Sequence, residues 1–476
     1  MKFPNNFRQF FPTEAVKQVS QFIGNPKLAE ALRDAAEKAG FKDTFTSSSL
    51  QPIQQVFENA SRWMENFTKQ FTDGFTSDLI GAGINGTGEL FSTRWLGVPM
   101  STQQSMMLAG SIRGAIDASH LTQELSRFVC RKTGAQEVIF VNSIAAALAT
   151  IATASSRIES KSKWILPRQN CIRIPRFGES SGGSLRDILD DARVDVVEVG
   201  TNQDCDVDEL VRVLGEDTSF AVSLSLDSSA SPNQVDAGSM STRSALIAAK
   251  AKKNLQIIEL VLDGTILDIR EKVGVGRCIN QLWQDGIDVA IVPCEYLIGS
   301  TEGCMILFRD HSAIAGATLA RVCMNGVELS AASKLLLFSL LRSSTTYEDW
   351  EQTELGQILT TSSENLLHRA QRIAKQLEGS PLVQSVEATS KACRLGSGIW
   401  ANAKLESGCV QIYPKAGNSK DLATSLSKGP QPIWCNVDHE CVEIVLRTMS
   451  PDDDLSLVQR FCETRQESDV RTDSES

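Results

Sequence analysis

The sequence has little of the chemistry that holds metal ions or builds disulfide frameworks. Its twelve cysteines are scattered without a C-x-x-C pair, and none of its four histidines stands at metal-ligand spacing from a cysteine or another histidine. A zinc site is therefore not expected. Single scattered cysteines are typical of small buried hydrophobic residues in a reducing compartment, so we predict no metal.

Membrane-spanning and basic segments are also missing. No run of about eighteen apolar residues occurs, which argues against a transmembrane helix. The opening segment MKFPNNFRQFFPTEAVKQ has no signal-peptide pattern, so a cytoplasmic location is expected. Acidic residues outnumber basic ones, 58 to 47, and the net charge is −11. Because nucleic-acid binders usually carry a basic surplus or stripe, we expect weak or absent nucleic-acid binding.

Residues 1–80 are predicted to form a helical N-terminal segment. Asn25 and Pro26 resemble a helix N-cap followed by proline at the first helical position, and Gly40 is placed to end that helix. Apolar residues between Ile53 and Phe67 then recur at helical spacing. Such a stripe needs a cover in the core or on a second copy of the chain, which favours a homo-oligomer.

Residues 81–345 alternate short apolar runs with helical stretches. The predicted strands are 138–141, 194–199, 220–226, 255–261, 289–292 and 305–308. The predicted helices are 144–156, 184–192, 206–214, 240–253 and 312–340. This alternation is typical of an α/β fold with a mostly parallel sheet covered on both faces. Ligands of such sheets lie at the carboxyl ends of the strands.

Residues 346–463 are predicted to form a small C-terminal α/β domain. Its expected elements are a long helix, two strands and a final helix, at 351–378, 409–413, 442–446 and 451–463. The tail 464–476 is polar and short of apolar residues, so we expect it to be disordered.

Several motifs occur in an order that resembles one family. They are INGTG at Ile84–Gly88, GA at Gly134–Ala135, VNSIAAA at Val141–Ala147, VEVGTN at Val197–Asn202, GID at Gly286–Asp288, LIG at Leu297–Gly299, LGSG at Leu395–Gly398 and LRTMSP at Leu446–Pro451. The set resembles bacterial selenocysteine synthase, L-seryl-tRNA(Sec) selenium transferase. The resemblance implies a pyridoxal-phosphate (PLP)-dependent transferase large domain of fold type I, and active sites formed between subunits of an oligomer.

The lysine that PLP chemistry needs is missing from the matching position. In the family it belongs to S-G-D-K-L-L-G-G and forms a Schiff base with the cofactor. The corresponding segment Pro293–Ser300 reads PCEYLIGS and places Tyr296 at the lysine position. A phenol cannot form an imine, and the nearest lysine upstream is Lys272. We therefore predict no covalently bound cofactor, with PLP expected only under the alternative of a rearranged site.

The carboxylate that should face the pyridine nitrogen of PLP is also displaced. The family carries it in D-L-G-S-G, and Glu259 and Asp263 are the candidates to replace it, although neither aligns without a shift. A turn is the preferred interpretation of Asp263 and the following Gly264.

Groups for anion binding are depleted as well. Arg321 keeps the first arginine of the family's R-x-x-R-x-D-K stretch, but Met324 and Val327 replace its second arginine and its lysine. An aliphatic side chain cannot hold a phosphate or a selenium donor. The family's N-N-N loop begins here with Asn142 and Ser143, which we take as candidates in a degenerate cofactor pocket.

Three functions compete on this reasoning. The first is a non-catalytic relative that keeps the scaffold for binding or assembly. The second is a PLP-dependent transferase of the L-seryl-tRNA(Sec) selenium transferase type with rearranged residues. The third is a different enzyme that uses Tyr296, Cys294 and Glu295 as reactive groups. We favour the first, with a homo-oligomer as the expected assembly, a small-molecule ligand left open and tRNA binding not expected.

Overall fold

The structure is a computed structural model, and it consists of two compact units. One unit comprises residues 1–83 and 424–433, and the other comprises residues 84–423 and 434–476. The described residues are 83–91, 117–158, 163–174, 183–201, 205–215, 218–225, 236–253, 255–310, 326–396, 400, 403–429 and 431–463. The predicted N-terminal helices and the C-terminal tail lie outside them.

The strands of the described residues are numbered in chain order. They are β1 (Ile84–Gly86), β2 (Glu137–Val141), β3 (Lys163–Pro167), β4 (Asp195–Val199), β5 (Thr218–Ser225), β6 (Gln256–Val261), β7 (Gly264–Thr265), β8 (Arg277–Cys278), β9 (Val289–Pro293), β10 (Cys304–Phe308), β11 (Val383–Arg394), β12 (Lys404–Pro414), β13 (Ile433–Val437) and β14 (Val442–Val445). Seven of these form one sheet in the order β2-β10-β9-β6-β5-β3-β4. Strand β10 is antiparallel to both of its neighbours, and the other pairs are parallel.

The helices are numbered in the same way. They are α1 (Ala118–Thr133), α2 (Ile144–Ile158), α3 (Leu185–Asp191), α4 (Val207–Val213), α5 (Asp236–Lys252), α6 (Arg270–Val273), α7 (Ile279–Leu282), α8 (Ala331–Ser343), α9 (Tyr347–Glu351), α10 (Glu354–Thr360), α11 (Ser363–Leu377), α12 (Ser419–Leu426) and α13 (Asp453–Glu463). Short 3-10 helices span Arg168–Asn170 and Leu446–Thr448. Within the described part of the chain, no helix is long and apolar enough to cross a membrane.

The seven-stranded sheet is buried on both faces, which explains why its strands read as continuous apolar runs. Every residue of β9 and β10 is buried. Along β6, Ile258 and Leu260 pack into a core on one face of the sheet, and Ile257 and Val261 pack into a core on the other. Alternation along each strand therefore supplies both cores, as the predicted α/β architecture requires.

The strand register brings three loops to one edge of this sheet. Cys304, the first residue of β10, pairs with Val141 at the end of β2 and with Pro293 at the end of β9. Leu260 of β6 pairs with Ile291 of β9, so β6 ends at the same level. The loops after β2, β6 and β9 therefore share the carboxyl edge, where ligands bind in open α/β sheets.

A second sheet has the order β1-β13-β14-β12-β11. Its first strand is the INGTG motif, which thus joins strands from the far end of the chain rather than the seven-stranded sheet. Helix α11 lies directly on β12, because a Cβ at Gly408 would come within 2.1 Å of the carbonyl oxygen of Leu366. Glycine at this position allows the helix backbone to approach the strand.

Two predicted helices differ in the structure. The expected helix over 351–378 is divided among α9, α10 and α11, because Thr353 and Ser362 each cap the N-terminus of a new helix. Each hydroxyl accepts a hydrogen bond from the backbone N–H three residues later in the chain. Such a cap starts a new helix and so competes with continuation of the preceding one. Of the expected helix over 312–340, the described part begins only after the N-cap Ser330.

The sequence pattern missed several strands, among them β3 and β11. Strand β3 begins with Lys163 and ends with Pro167, two residue types that are rare in strands, although its middle is fully buried. Strand β11 alternates exposed polar residues with half-buried ones, and it pairs with β12 along most of its length. Pairing with a neighbour, not local composition, makes both segments strands.

Candidate functional site

The loop that carries the lysine position runs from Cys294 to Gly303 between β9 and β10, and we call it the edge loop. The backbone N–H of Cys294 donates to the carbonyl of Gly303 (2.9 Å), and that of Ser300 donates to the carbonyl of Cys294 (2.8 Å). Residues 294–300 are all buried, and Glu302 is exposed. The loop is therefore folded back into the core at the carboxyl edge.

Tyr296 packs against two other aromatic rings, and we call Phe91, Tyr296 and Trp400 the aromatic cluster. The Tyr296 ring centroid lies 5.7 Å from that of Phe91 and 5.6 Å from that of Trp400. Tyr296 is 3% exposed, and burial raises its pKa far above the usual phenol value. Tyr296, for which motif order predicts the family's lysine position, is thus a neutral member of the hydrophobic core.

The nearest upstream lysine does not replace the missing amine. Lys272 lies on the exposed side of the short helix α6, and its Nζ lies 4.2 Å from the ring centroid of Tyr347. This is a cation–π contact at the surface. None of the described loops that follow β2, β6 and β9 contains a lysine.

Glu259 is a core residue rather than an edge residue. It lies in the middle of β6, opposite Ser223 of β5 and Ala290 of β9, and it is fully buried. Its carboxylate forms an ion pair and hydrogen bond with the guanidinium of Arg243 on α5. The structure therefore assigns Glu259 to a buried ion pair beneath the helix, away from the site for which the sequence made it a candidate.

Asp263, the second carboxylate candidate, does lie at the carboxyl edge. It occupies the turn directly after β6, which confirms the interpretation of this segment as a turn, and it is 2% exposed. The next residue, Gly264, has no room for a side chain, since a Cβ would lie 2.7 Å from Cγ1 of Val292. The turn is therefore packed directly onto β9, the strand that leads into the edge loop.

Asn142 and Ser143 lie at the other end of the same edge, where they help to line an open groove of about 340 Å³. The Oγ of Ser143 accepts a hydrogen bond from the backbone N–H of Ala146 (3.1 Å), so this hydroxyl caps α2. The Nδ2 of Asn142 donates to the carbonyl of Gly326 (3.2 Å). Val327 forms part of the lining at the position of the family's lysine. Arg321 and Met324 lie outside the described residues.

The groups suggested for a different chemistry are held in their protonated forms. Burial raises the pKa of Cys294 and of Cys304 well above the usual thiol value. Burial also raises the pKa of Glu295 to about 8, with the charge of Glu302 adding to the effect. Because the thiolate is the nucleophile in cysteine chemistry, the environment of Cys294 opposes a catalytic role.

A cluster of ligand-type side chains occurs in the second sheet, and the sequence pattern did not reveal it. Among the described residues, Asp438, Cys441 and Glu443 place their ligand atoms within 4.8 Å of one another. The Nζ of Lys391 donates to Glu443 (2.5 Å), and Gln411 also donates to this carboxylate (3.1 Å). An ammonium group therefore already supplies the positive charge at this cluster.

Phe91 and Trp400 were also missed by sequence reasoning. Phe91 follows INGTG, and its backbone N–H donates to the carbonyl of Leu395, just before Trp400. No local pattern links residues so far apart in the chain. Only the neighbouring motifs, which both belong to the family resemblance, marked the two regions.

The fold is that of the fold-type-I PLP-dependent enzymes. A solved structure titled D-glucosaminate-6-phosphate ammonia-lyase matches with a TM-score of 0.55 at 13% identity, covering 81% of this chain and 95% of the other. At this identity the likeness concerns the fold alone. It confirms the predicted fold class, an α/β large domain with a mostly parallel sheet.

A family model described as SelA: L-seryl-tRNA selenium transferase matches residues 108–450. The L-seryl-tRNA(Sec) selenium transferase of Pasteurella multocida is 24% identical over 356 residues, 71% of each chain. That of Desulfotalea psychrophila is 24% identical over 392 residues, 78% of this chain and 79% of the relative. The chain belongs to the L-seryl-tRNA selenium transferase family, and the resemblance drawn from its motifs is confirmed.

The names of the curated relatives concern the prediction, made from net charge, that tRNA binding is not expected. The curated relatives are named for seryl-tRNA(Sec), which argues against the expectation that tRNA binding is absent. Net charge describes the whole chain, whereas nucleic-acid contacts depend on a local surface.

Proposed function

We propose that this member of the family has lost covalent PLP catalysis and serves as a binding or assembly protein. One observation carries the proposal: Tyr296 stands at the lysine position and is buried in the aromatic cluster. A phenol cannot condense with an aldehyde, so neither the Schiff base nor the lysine's proton transfer is available.

The described residues of the carboxyl edge do not fit PLP. A PLP site needs an amine, a carboxylate at the pyridine nitrogen and charged or polar partners for the phosphate. Of these, the described edge offers the carboxyl group of Asp263 and the polar side chains of Asn142 and Ser143, but its loops after β2, β6 and β9 supply no amine. The groove presents Asn142, Ser143 and Val327, and a valine cannot pair with phosphate. These residues therefore support no catalytic step through PLP.

Chemical trapping tests this proposal. The protein is incubated with PLP, reduced with borohydride and digested, and its peptides are examined by mass spectrometry. We expect no stoichiometric phosphopyridoxyl adduct on any lysine. Lys272→Met is the matched control, because it removes the lysine nearest upstream while leaving the edge loop intact. A stoichiometric adduct on one lysine, lost when that lysine is replaced, would overturn the proposal.

The second candidate is a PLP-dependent transferase with a rearranged site. Asp263 favours it, since a buried carboxyl group still lies at the carboxyl edge. In that case PLP would be the cofactor and seryl-tRNA(Sec), for which the relatives are named, would be the substrate. The trapping experiment separates the two candidates, because only the transferase requires the adduct.

The binding role makes seryl-tRNA(Sec) the first macromolecule to test. Filter binding over a range of salt concentrations measures phosphate contacts, since such binding weakens as salt rises. Salt-dependent binding without a PLP adduct supports a binding protein that kept the family's ligand.

The assembly role is tested by sedimentation. A homodimer or larger species is expected at micromolar concentration. A single species at the chain mass of 51.9 kDa, together with no tRNA binding, would contradict both the binding role and the assembly role.

A further inference from the structure

Glu295 is the buried ionisable group of the edge loop that the proposed function does not use. Its side chain is 7% exposed, and its Oε2 has no hydrogen-bond partner among the described residues. It lies between Cys294 and Tyr296, which are also buried. A carboxylate in such surroundings is costly, because burial without a counter-charge favours the neutral form.

Among the described residues, the titratable groups that act on Glu295 add no positive charge in compensation. Cys294 and Tyr296 on the same loop, and Cys304 at the start of β10, all have pKa values raised by burial, so they stay uncharged near neutral pH. Glu302 contributes a negative charge from the exposed part of the loop. The backbone N–H groups around Glu295 lower its pKa, but burial outweighs them.

The edge loop packs against apolar and aromatic side chains of other elements. Leu355 approaches Gly299 and Leu329 approaches Gly303, and Tyr296 completes the aromatic cluster. These contacts are apolar and carry no charge of their own. Opening the loop would expose Glu295 to water while leaving the paired strands β9 and β10 intact.

We propose that the edge loop is a proton-coupled closure: protonated Glu295 lets the loop pack into the core, with Tyr296 against Phe91 and Trp400, and opening the loop hydrates and ionises this carboxyl group. The closure holds whether or not PLP binds, so its failure and that of the proposed function are distinguishable.

The direction of the pH effect follows from linkage. The pKa of Glu295 is about 8 in the closed loop, against 4.5 for an ordinary glutamate. Closure is therefore favoured fully below the ordinary pKa and weakens as pH rises toward the raised one. Between pH 5.5 and 7.5 the opening equilibrium should rise on the order of 50-fold, and it should level off above pH 8.

Hydrogen–deuterium exchange of the full chain without PLP measures this opening. Exchange of a peptide covering the edge loop is compared at pH 5.5 and 7.5, after correction for the intrinsic pH dependence of amide exchange. A peptide covering β6 is the internal reference. We expect the edge loop to lose protection with rising pH while β6 does not.

Two variants test whether Glu295 is the group whose protonation controls the opening of the loop. Glu295→Gln should remove the pH dependence, because the amide stays neutral. Glu302→Gln is the matched control and should keep the dependence with a slightly lower midpoint, since only a neighbouring charge is lost. The proposal is wrong if wild-type protection does not change with pH. It is also wrong if Glu295→Gln retains the change, or if β6 loses protection in parallel with the loop.

Discussion

Two loops at the carboxyl edge of the same sheet are built in opposite ways. The edge loop after β9 is buried and places Tyr296 among aromatic rings. The loop after β2 borders an open groove and presents Asn142 and Ser143, which are exposed or half-buried. The edge loop is part of the core, whereas the loop after β2 lies at the surface. The contrast shows that one sheet edge can carry a buried loop and an accessible loop.

The largest expected change in stability tests whether Tyr296 is part of the hydrophobic core. Tyr296→Ala should lower the free energy of unfolding by about 3–5 kcal/mol, because it leaves a cavity in the aromatic cluster. Urea denaturation measures the change. Tyr296→Phe is the control and should cost about 1 kcal/mol, since only the hydroxyl is removed. A loss below about 1 kcal/mol for Tyr296→Ala would remove the contrast between the two loops.

A second effect sharpens the assignment of Glu259 to the core rather than to the edge. Arg243→Met leaves this carboxylate buried without its ion-pair partner, so we expect a loss of about 3 kcal/mol. Arg127→Ala provides the comparison, because the exposed pair of Arg127 with Glu124 should contribute less than about 1 kcal/mol. Equal losses in the two variants would show that Glu259 is not held as a buried charge.

The pH dependence of stability distinguishes the buried loop from the open one. The raised pKa of Glu295, about 8, stabilises the fold fully below the ordinary glutamate value, and this contribution is lost as pH rises through the raised value. From pH 5.5 to 7.5, wild type should lose about 2 kcal/mol relative to Glu295→Gln. Denaturation curves at both pH values give the difference, and parallel behaviour of the two proteins would refute the assignment.

The smallest effect concerns the open groove. Ser143→Ala removes the hydroxyl that accepts the backbone N–H of Ala146, so the free energy of unfolding should fall by about 1 kcal/mol. Asn142→Ala should cost less, because its hydrogen bond to Gly326 is exposed. If either loss matched that of Tyr296→Ala, the groove would have to be regarded as core.

Much of the fold could be read from residue patterns. Apolar runs at 138–141, 289–292 and 305–308 fall within or on β2, β9 and β10, because strands buried on both faces need no polar residues. The pattern failed where local signals were weak or competing. Strand β3 begins with lysine, and the caps Thr353 and Ser362 interrupt what reads as one helix.

The candidate site was found only in part. Tyr296 was located because motif order places it after β9, and the structure puts it at the carboxyl edge. Glu259 and Asp263 were equal candidates for one carboxylate, because neither aligned without a shift. Asp263 lies at the carboxyl edge, whereas the side chain of Glu259 meets Arg243 in the core. The position of a residue along a strand determines which face of the sheet its side chain lies on. The side chain that it contacts there belongs to another element, as Arg243 of α5 does for Glu259.

By itself, the sequence indicated the family, the alternation of strands and helices in the large domain, and a phenol at the position where motif order expects the family's lysine. These are properties of residue identity and order. Only the tertiary structure decided that this phenol lies against Phe91 and Trp400, and that Glu295 is buried without a partner for one oxygen among the described residues. Burial and contact depend on which distant segments meet, and no local pattern encodes that meeting.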